Sequence, residues 1–391
     1  MDYIYPDYSN SSVNLTGSIL DGYGIPSPHK PLSQLGSKPL GEYRHLIFAV
    51  FDGMGWDFLN TMNSNIAGTV SECRKISSVF PSTTTAAVTS LMTGYTPVEH
   101  GYLGWTLYLK EYNRYINALL GTDNEKQRNF YEEGIDYHGI MEPGSVLEQI
   151  KSAQPARDVW YVAPKEFGAS LYTARTSRGG SPVLYSYEQE IPAICQRIAG
   201  GNTPSCSFVY SPFPDYFEHN EGTGGASVKR WFDWFTGFIE TMNGICSKTD
   251  TIVLISTDHG MIDMDGYYKL EEDPVLMDSL IMPPFPESRF ASFFVKEHKR
   301  DRFAGRFSEK LGDEFLLFER EEFLGTSLLG TGKEHRKIDD FIGNYIAVAI
   351  GRTGIHCNPV HNPAQAAQFK ANHAGLTREE IEIPLLIIDR E

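Results

Sequence analysis

Short apolar runs of strand length recur along the chain with helix-like segments between them, and this alternation constrains the fold more than any other feature. HLIFAVFD, with Leu46 to Phe51 at its heart, is the first strong run. A run without polar alternation belongs to a strand covered on both faces. It ends in Asp52-Gly53-Met54-Gly55 and is followed by the helical stretch WDFLNTM. KISSVF (75–80) then leads into TTAAVTSLM (84–92), and DVWYVAP (158–164), CSFVYS (206–211), TIVLIST (251–257), NYIAVAI (344–350) and IPLLIID (383–389) are further strand candidates. Helical segments at 186–198 and 226–246 separate several of them. Strand followed by helix, repeated, predicts an α/β fold with a doubly wound, largely parallel central sheet and helices on both faces.

Three stretches stand apart. Residues 22–42 are rich in Gly, Pro and Ser, so 1–44 is expected to form an N-terminal arm. Residues 107–145 are polar and aromatic, whereas 262–336 hold a strand-like SRFASFFVK, a helix-like RDRFAGRFSEKLG and a short EFLLF. The second of these is long enough for an inserted cap subdomain between two core segments, 45–261 and 337–391.

With 34 Lys and Arg against 50 Asp and Glu, the net charge is −16. Such a surface repels nucleic-acid backbones and anionic membranes, so neither a nucleic-acid duplex nor a membrane is an expected partner. An acidic protein still handles phosphates if its carboxylates hold metal ions, because a divalent ion inverts the local field. The five cysteines, Cys73, Cys195, Cys206, Cys246 and Cys357, are widely spaced and include no Cys-x-x-Cys pair, which suggests neither a disulfide framework nor a thiolate zinc site. The first residues lack a basic start with an apolar run, and no segment offers eighteen consecutive apolar residues. The expectation is a soluble, cytoplasmic protein in which the sequons at Asn10 and Asn14 are chance occurrences.

In an open parallel sheet ligands bind beyond the carboxyl ends of the strands. Asp52 follows the first strand, Asp215 and His219 follow CSFVYSPFP, and Asp258-His259-Gly260 follow TIVLIST. Taken singly, each fits a turn former, a helix cap or a surface histidine. Together they deliver the oxygen and nitrogen donors that suit zinc in a hydrolytic site. Ser82, Thr83, Thr84 and Thr85 precede an Ala-rich helix; hydroxyls there usually act as N-caps, but a helix N-terminus also suits a phosphate group.

The segments LIFAVFDGMGWDFL, VFPSTTTAAVTSLMTGYTPVEHGYLGW, PFPDYFEHNEG, STDHGM and FKANHAGLTREEIEIPLLII together resemble the alkaline phosphatase superfamily, and within it the type I phosphodiesterase/nucleotide pyrophosphatase family. They stand in family order over roughly residues 45–389. The resemblance implies two divalent metal ions, most often zinc, one on Asp52, Thr84, Asp258 and His259 and the other on Asp215, His219 and His373. It implies that Thr84 is the nucleophile, because Thr84 lies three residues after Pro81 and ten before Gly94 as the family spacing requires; Thr83 and Thr85 are the alternatives. The activity implied is hydrolysis of a small phosphate-ester or nucleotide substrate through a covalent phospho-threonine.

The chain departs from the family at two points. Ala87 stands where an Asn three residues after the nucleophile is expected to hold phosphoryl oxygens, and Ala374-Gly375 follow His373 in place of Gly-Gly. The first departure leaves a phosphomonoesterase, a phosphonate hydrolase or a phosphomutase on the same metal framework as alternatives, and a catalytically silent metal-binding protein as a different class. A sulfatase is disfavoured because Cys73-Arg74-Lys75 does not supply its Cys/Ser-x-Pro-x-Arg motif, and a dinucleotide-binding dehydrogenase because Gly53-Met54-Gly55 is not completed by a third glycine at Phe58. His100 is expected to be structural or to support a ligand, and His335, His356 and His361 to be loop residues or to line the pocket. Trp105, Tyr108 and Phe213 are expected to pack, with stacking on a base or aryl group as the second use.

Overall fold

Alternate residues of the His45–Phe51 strand enter two different cores: Ile47, Ala49 and Phe51 one, Leu46, Phe48 and Val50 the other. This is the period-two geometry of a strand with both faces covered. In the computed structural model, which describes residues 2–62, 66–123, 128–141, 144–168, 170–357 and 369–389, it is the middle of a seven-stranded sheet. The order is Glu72–Ser77, Glu382–Asp389, Thr251–Ser256, His45–Phe51, Ser205–Ser211, Asp158–Pro164 and Ser181–Tyr185. From Thr251–Ser256 to Ser181–Tyr185 all neighbours are parallel. Glu382–Asp389 runs antiparallel to both of its neighbours. The expected largely parallel sheet is therefore present, with helices on both faces.

One face is covered by Trp56–Met62, Ile191–Ala199 and the long helix Ala226–Cys246. That helix lays Val228, Trp231, Phe232, Phe235, Phe238, Ile239 and Met242 along one stripe at three- and four-residue spacing. Each such side chain contributes roughly 1.5–3 kcal/mol on full burial. The other face is covered by Ser12–Gly22, Thr84–Thr93 and Val146–Ala153. The first of these lies within the expected arm yet is packed into the core, where Thr16 Oγ1 donates to the carbonyl of Leu91 at 3.1 Å. The segment 1–44 thus braces the helix that begins at Thr84.

A second, four-stranded antiparallel sheet is built from Phe285–Pro286, Phe290–Phe293, Tyr345–Ala349 and Phe315–Glu319. Ala291, Phe293, Ala347 and Ala349 face the helix Arg300–Leu311, which buries Phe303, Phe307 and Leu311. Phe290, Ile346 and Val348 face the cluster that also takes in the hairpin Thr106–Leu109 and Arg114–Asn117. The apolar run at 344–350 is thus a strand, but it joins the sheet of the 262–336 region rather than the central one. Its apolar character reflects cover on both faces, which either sheet supplies, so composition alone cannot assign it. Among the described residues no helix is long and apolar enough to cross a membrane.

Candidate active site

Register decides which side chains meet at the sheet edge. Val50 pairs with Ser256 and Phe51 with Ser211, so Asp52 comes level with Asp258, and both project beyond the strand ends. The Asp52 amide donates to Ser211 O at 2.9 Å and the Asp215 amide to Asp52 O at 3.0 Å, which carries the start of the helix Asp215–Glu221 to the same edge. A short antiparallel pairing of Ala371–Asn372 with Ile262–Asp263 brings in His373.

Two clusters result. In the first, His259 Nε2 lies 3.3 Å from Asp52 Oδ1 and 3.4 Å from Asp258 Oδ2. In the second, Asp215 Oδ1 lies 3.4 Å from His219 Nε2 and 3.7 Å from His373 Nε2. The clusters adjoin, because the rings of His259 and His373 stack with centroids 3.9 Å apart. Each histidine has its other nitrogen turned to a backbone carbonyl: His219 Nδ1 to Ala371 O at 2.8 Å, His259 Nδ1 to Gly260 O at 3.1 Å and His373 Nδ1 to Ser82 O at 3.2 Å. That contact fixes the tautomer and leaves Nε2 as a lone-pair donor directed into the cluster, which is how metal-ligating imidazoles are held.

Asp52 Oδ1, Asp258 Oδ2 and Asp215 Oδ1 are buried and have no hydrogen-bond partner among the described residues. Orphaned carboxylate oxygens cost several kcal/mol each unless a cation meets them. Burial, reinforced by the Asp258 and Asp215 carboxylates, holds the Asp52 carboxyl well above its usual range, although Tyr210 donates to Asp52 Oδ2 at 2.6 Å. Burial likewise pushes Asp215 up to about 7, with Asp258 adding to the rise and His259 opposing it. It lowers His219 to about 4, and it lowers His373 well below the ordinary value with help from His259 and His219. Carboxyls held up beside imidazoles held down mark a desolvated site that disfavours unpaired charge of either sign, and the residues present fit divalent ions with three O and N donors in each cluster.

The four hydroxyls at the helix start point four ways. Thr84 Oγ1 lies 3.2 Å from His259 Nε2, beside the first cluster. Ser82 Oγ donates to Gly375 O at 2.9 Å and Thr83 Oγ1 to Glu287 Oε1 at 2.9 Å, while Thr85 Oγ1 is buried without a partner among the described residues. Thr83 caps the helix in an extended conformation, and Gly94 closes it with φ at 75°, in the left-handed region where glycine is at ease.

Gly53 is equally constrained. Its φ is 82°, and a Cβ there would fall 2.9 Å from the Asp215 Cα. Gly53→Ala is expected to cost about 1–2 kcal/mol from the backbone alone and to displace Asp215 as well. Thermal unfolding together with metal content of the purified variant checks this; unchanged values of both would show that the turn has room. Ala374, at the second departure from the family pattern, has φ at 93°. Its unfavourable backbone is pinned from the next residue, whose amide donates to Glu380 Oε1 at 2.7 Å, and Glu380 is itself held by the buried Arg289 at 2.7 Å.

The remaining candidates lie around these clusters. His100 is buried, accepts from the Tyr102 amide at Nδ1 and meets Ser90 Oγ at Nε2, and burial lowers it to about 3, so it is a neutral structural residue. His335 packs against Gly101, and His356 Nδ1 lies 3.3 Å from Glu271 Oε1. His361 lies outside the described residues. Tyr108 packs on Tyr115 and Phe285, Phe213 stacks on Phe217, and Trp105 is exposed. Ala87 is buried in a small apolar cluster with Val13, Val79 and Ala86. Three residues near the site escaped the sequence reading. Tyr210 looked like one more strand aromatic, Glu218 is buried without a partner for Oε2 beside Asp215, and Glu287 reaches the helix start from 262–336.

The sequence profile of the type I phosphodiesterase / nucleotide pyrophosphatase family matches residues 46–310, more than half of the chain and the whole span from Asp52 to His259. The chain belongs to the type I phosphodiesterase / nucleotide pyrophosphatase family. It is accordingly a phosphodiesterase/pyrophosphatase-type hydrolase of the alkaline phosphatase superfamily, a metal-dependent group. No curated protein sequence matches it significantly. Solved structures with the same fold include murine ectonucleotide pyrophosphatase/phosphodiesterase 5, at 18% identity and a TM-score of 0.62 over 88% of each chain. The human counterpart has 16% identity and a TM-score of 0.62, covering 88% of this chain and 87% of its own. Phosphonoacetate hydrolase from Sinorhizobium meliloti 1021, in complex with phosphonoacetate, has 15% identity and a TM-score of 0.63, covering 90% of this chain and 92% of its own.

Proposed function

We propose that this family member cleaves a small phosphodiester or nucleotide anhydride with Thr84 as nucleophile at a two-zinc centre. The observation that carries the reading is the approach of Thr84 Oγ1 to His259 Nε2 at 3.2 Å, alongside the unpartnered oxygens of Asp52 and Asp258. Asp52, Thr84, Asp258 and His259 would hold one ion and Asp215, His219 and His373 the other; O and N donors in these numbers favour zinc. When bound, such a pair polarises the phosphoryl group, lowers the pKa of hydroxyl and water, and offsets charge on the departing oxygen.

The chain's own part is positional. Thr84, in the first turn of its helix, presents Oγ1 to phosphorus; the new O–P bond forms as the bond to the leaving oxygen breaks, and the leaving group takes up a proton on release. The phospho-threonine is then hydrolysed by water entering from the vacated side, which restores the Thr84 hydroxyl and frees the phosphate product. The helix Thr84–Thr93 begins at the nucleophile, so the free amides of its first turn would meet the phosphoryl oxygens and take over the work that an Asn in the place of Ala87 would do. Tyr210 and the three carbonyl-anchored imidazoles keep the donors in place. A murine relative solved as an inactive threonine-to-alanine variant in complex with AMP supports both the threonine and the nucleotide class. We also propose that 262–336 acts as the cap that sets substrate choice.

The phosphonoacetate-bound relative makes a phosphonate the second reading. Turnover of an aryl phosphodiester, an aryl phosphomonoester and phosphonoacetate by the zinc-loaded protein decides between them. The diester is expected to be cleaved fastest, and preferential cleavage of phosphonoacetate would overturn the phosphodiesterase reading.

A further inference from the structure

Glu287 is the acidic residue that 262–336 contributes at the start of the Thr84 helix. Its Oε1 accepts from Thr83 Oγ1 at 2.9 Å and from the Trp105 amide at 2.5 Å. Its Oε2 has no hydrogen-bond partner among the described residues; burial, with the Asp215 charge adding to it, pushes the carboxyl up to about 7, so its negative charge is fully present above neutral pH. Gly104 makes room for it, since a Cβ there would fall 2.8 Å from Glu287 Cγ. The carboxyl is thus gripped by one oxygen beside the residue that precedes the nucleophile, and the other oxygen is left over. Nothing in the fold requires an acid at this place: an amide would satisfy Thr83 and Trp105 equally.

A carboxylate held against the residue next to the nucleophile, and near enough to Asp215 for the two charges to act on each other, is unfavourable for any anion that approaches Thr84, and more so for each additional charge. A phosphodiester carries one negative charge near neutral pH, while a phosphomonoester, with a second pKa of about 6, carries close to two. The geometry points to Glu287 as a charge filter that makes the site reject dianionic phosphoryl groups and accept monoanionic ones. The inference rests on the phosphodiesterase reading above and deepens it by naming the residue that separates diesters from monoesters.

Glu287→Gln tests it when assayed well above neutral pH, where the wild-type carboxyl is ionised, because the amide oxygen still accepts from Trp105 and Thr83 while the charge is gone. The ratio of kcat/KM for p-nitrophenyl phosphate to that for bis(p-nitrophenyl) phosphate is expected to rise about tenfold, the effect of one unit charge on another across a partly screened site. Glu287→Asp, which keeps the charge, should hold the wild-type ratio. An unchanged ratio in Glu287→Gln, or equal loss of both activities, overturns the filter. Calorimetry on zinc-loaded Thr84→Ala protein supplies a readout without turnover: adding Glu287→Gln should tighten binding of inorganic phosphate clearly more than binding of dimethyl phosphate, and equal changes for both ligands also overturn it. A wild-type protein that cleaves no diester defeats the phosphodiesterase reading instead, and the calorimetric comparison still judges the filter.

Discussion

Thr84→Ala abolishes hydrolysis of an aryl phosphodiester, with a loss of about three orders of magnitude or more, while zinc content and thermal stability stay near those of the wild type. The size of the effect follows from the role: without an attacking oxygen the covalent route is closed, and only direct attack by water at the metal centre remains. The metal content persists because Asp52, Asp258 and His259 are held from elsewhere, Asp52 by Tyr210 and His259 by the carbonyl of Gly260. Thr84→Ser, which keeps a primary hydroxyl in the same turn, should recover a measurable part of the activity. Thr83→Ala and Thr85→Ala are the controls. Thr83 loses its bond to Glu287 and Thr85 only a buried hydroxyl, so neither should approach the loss at Thr84. Full activity in Thr84→Ala, or silence in Thr83→Ala instead, would reassign the nucleophile. A trapped phospho-enzyme after rapid acid quench, present in the wild type and absent from Thr84→Ala, would separate a nucleophile from a residue that merely orders the site.

The parts of this site legible in the sequence are those that sit one or two residues beyond an apolar strand. Asp52, Asp258 and His259 fall there because parallel strands end at one edge, so strand recognition alone collects them. Asp215 and His219 are collected in the same way, as the residues that follow CSFVYSPFP, whereas His373 comes only through family resemblance, since the two-residue pairing Ala371–Asn372 is too short to register as a strand. Glu287 and Glu218 were invisible for a different reason. Neither local sequence marks its acid as special: what distinguishes Glu218 is burial, and what distinguishes Glu287 is its bond to Thr83 some two hundred residues earlier, and both depend on elements far away in the chain. The strand at 345–349 illustrates the same limit: an apolar run records that two faces are covered, not which sheet does the covering.

Removing the metal should silence the enzyme and loosen it together, and zinc alone should reverse both. Chelation leaves Asp52 Oδ1, Asp215 Oδ1 and Asp258 Oδ2 buried without counter-charge. A ligand at a hundred times its Kd stabilises by about 2.7 kcal/mol, so the metal-free protein is expected to unfold several degrees lower. The dependence on pH has a definite sign. In the metal-free state Asp215 takes up a proton as pH falls through about 7, and a protonated carboxyl must release that proton before it can ligate. Zinc affinity at the Asp215 cluster therefore falls as pH drops below 7, opposite to the trend for an anion site that binds through protonated histidines. Metal analysis, thermal unfolding and diesterase assays on one chelated sample, before and after titration with zinc, magnesium, manganese or calcium, read all three. Activity that survives chelation with metal content at zero would sink the metal mechanism. Full recovery with calcium or magnesium but not zinc would keep the mechanism and overturn the ion, since His219, His259 and His373 supply nitrogen donors that those oxygen-seeking cations do not favour.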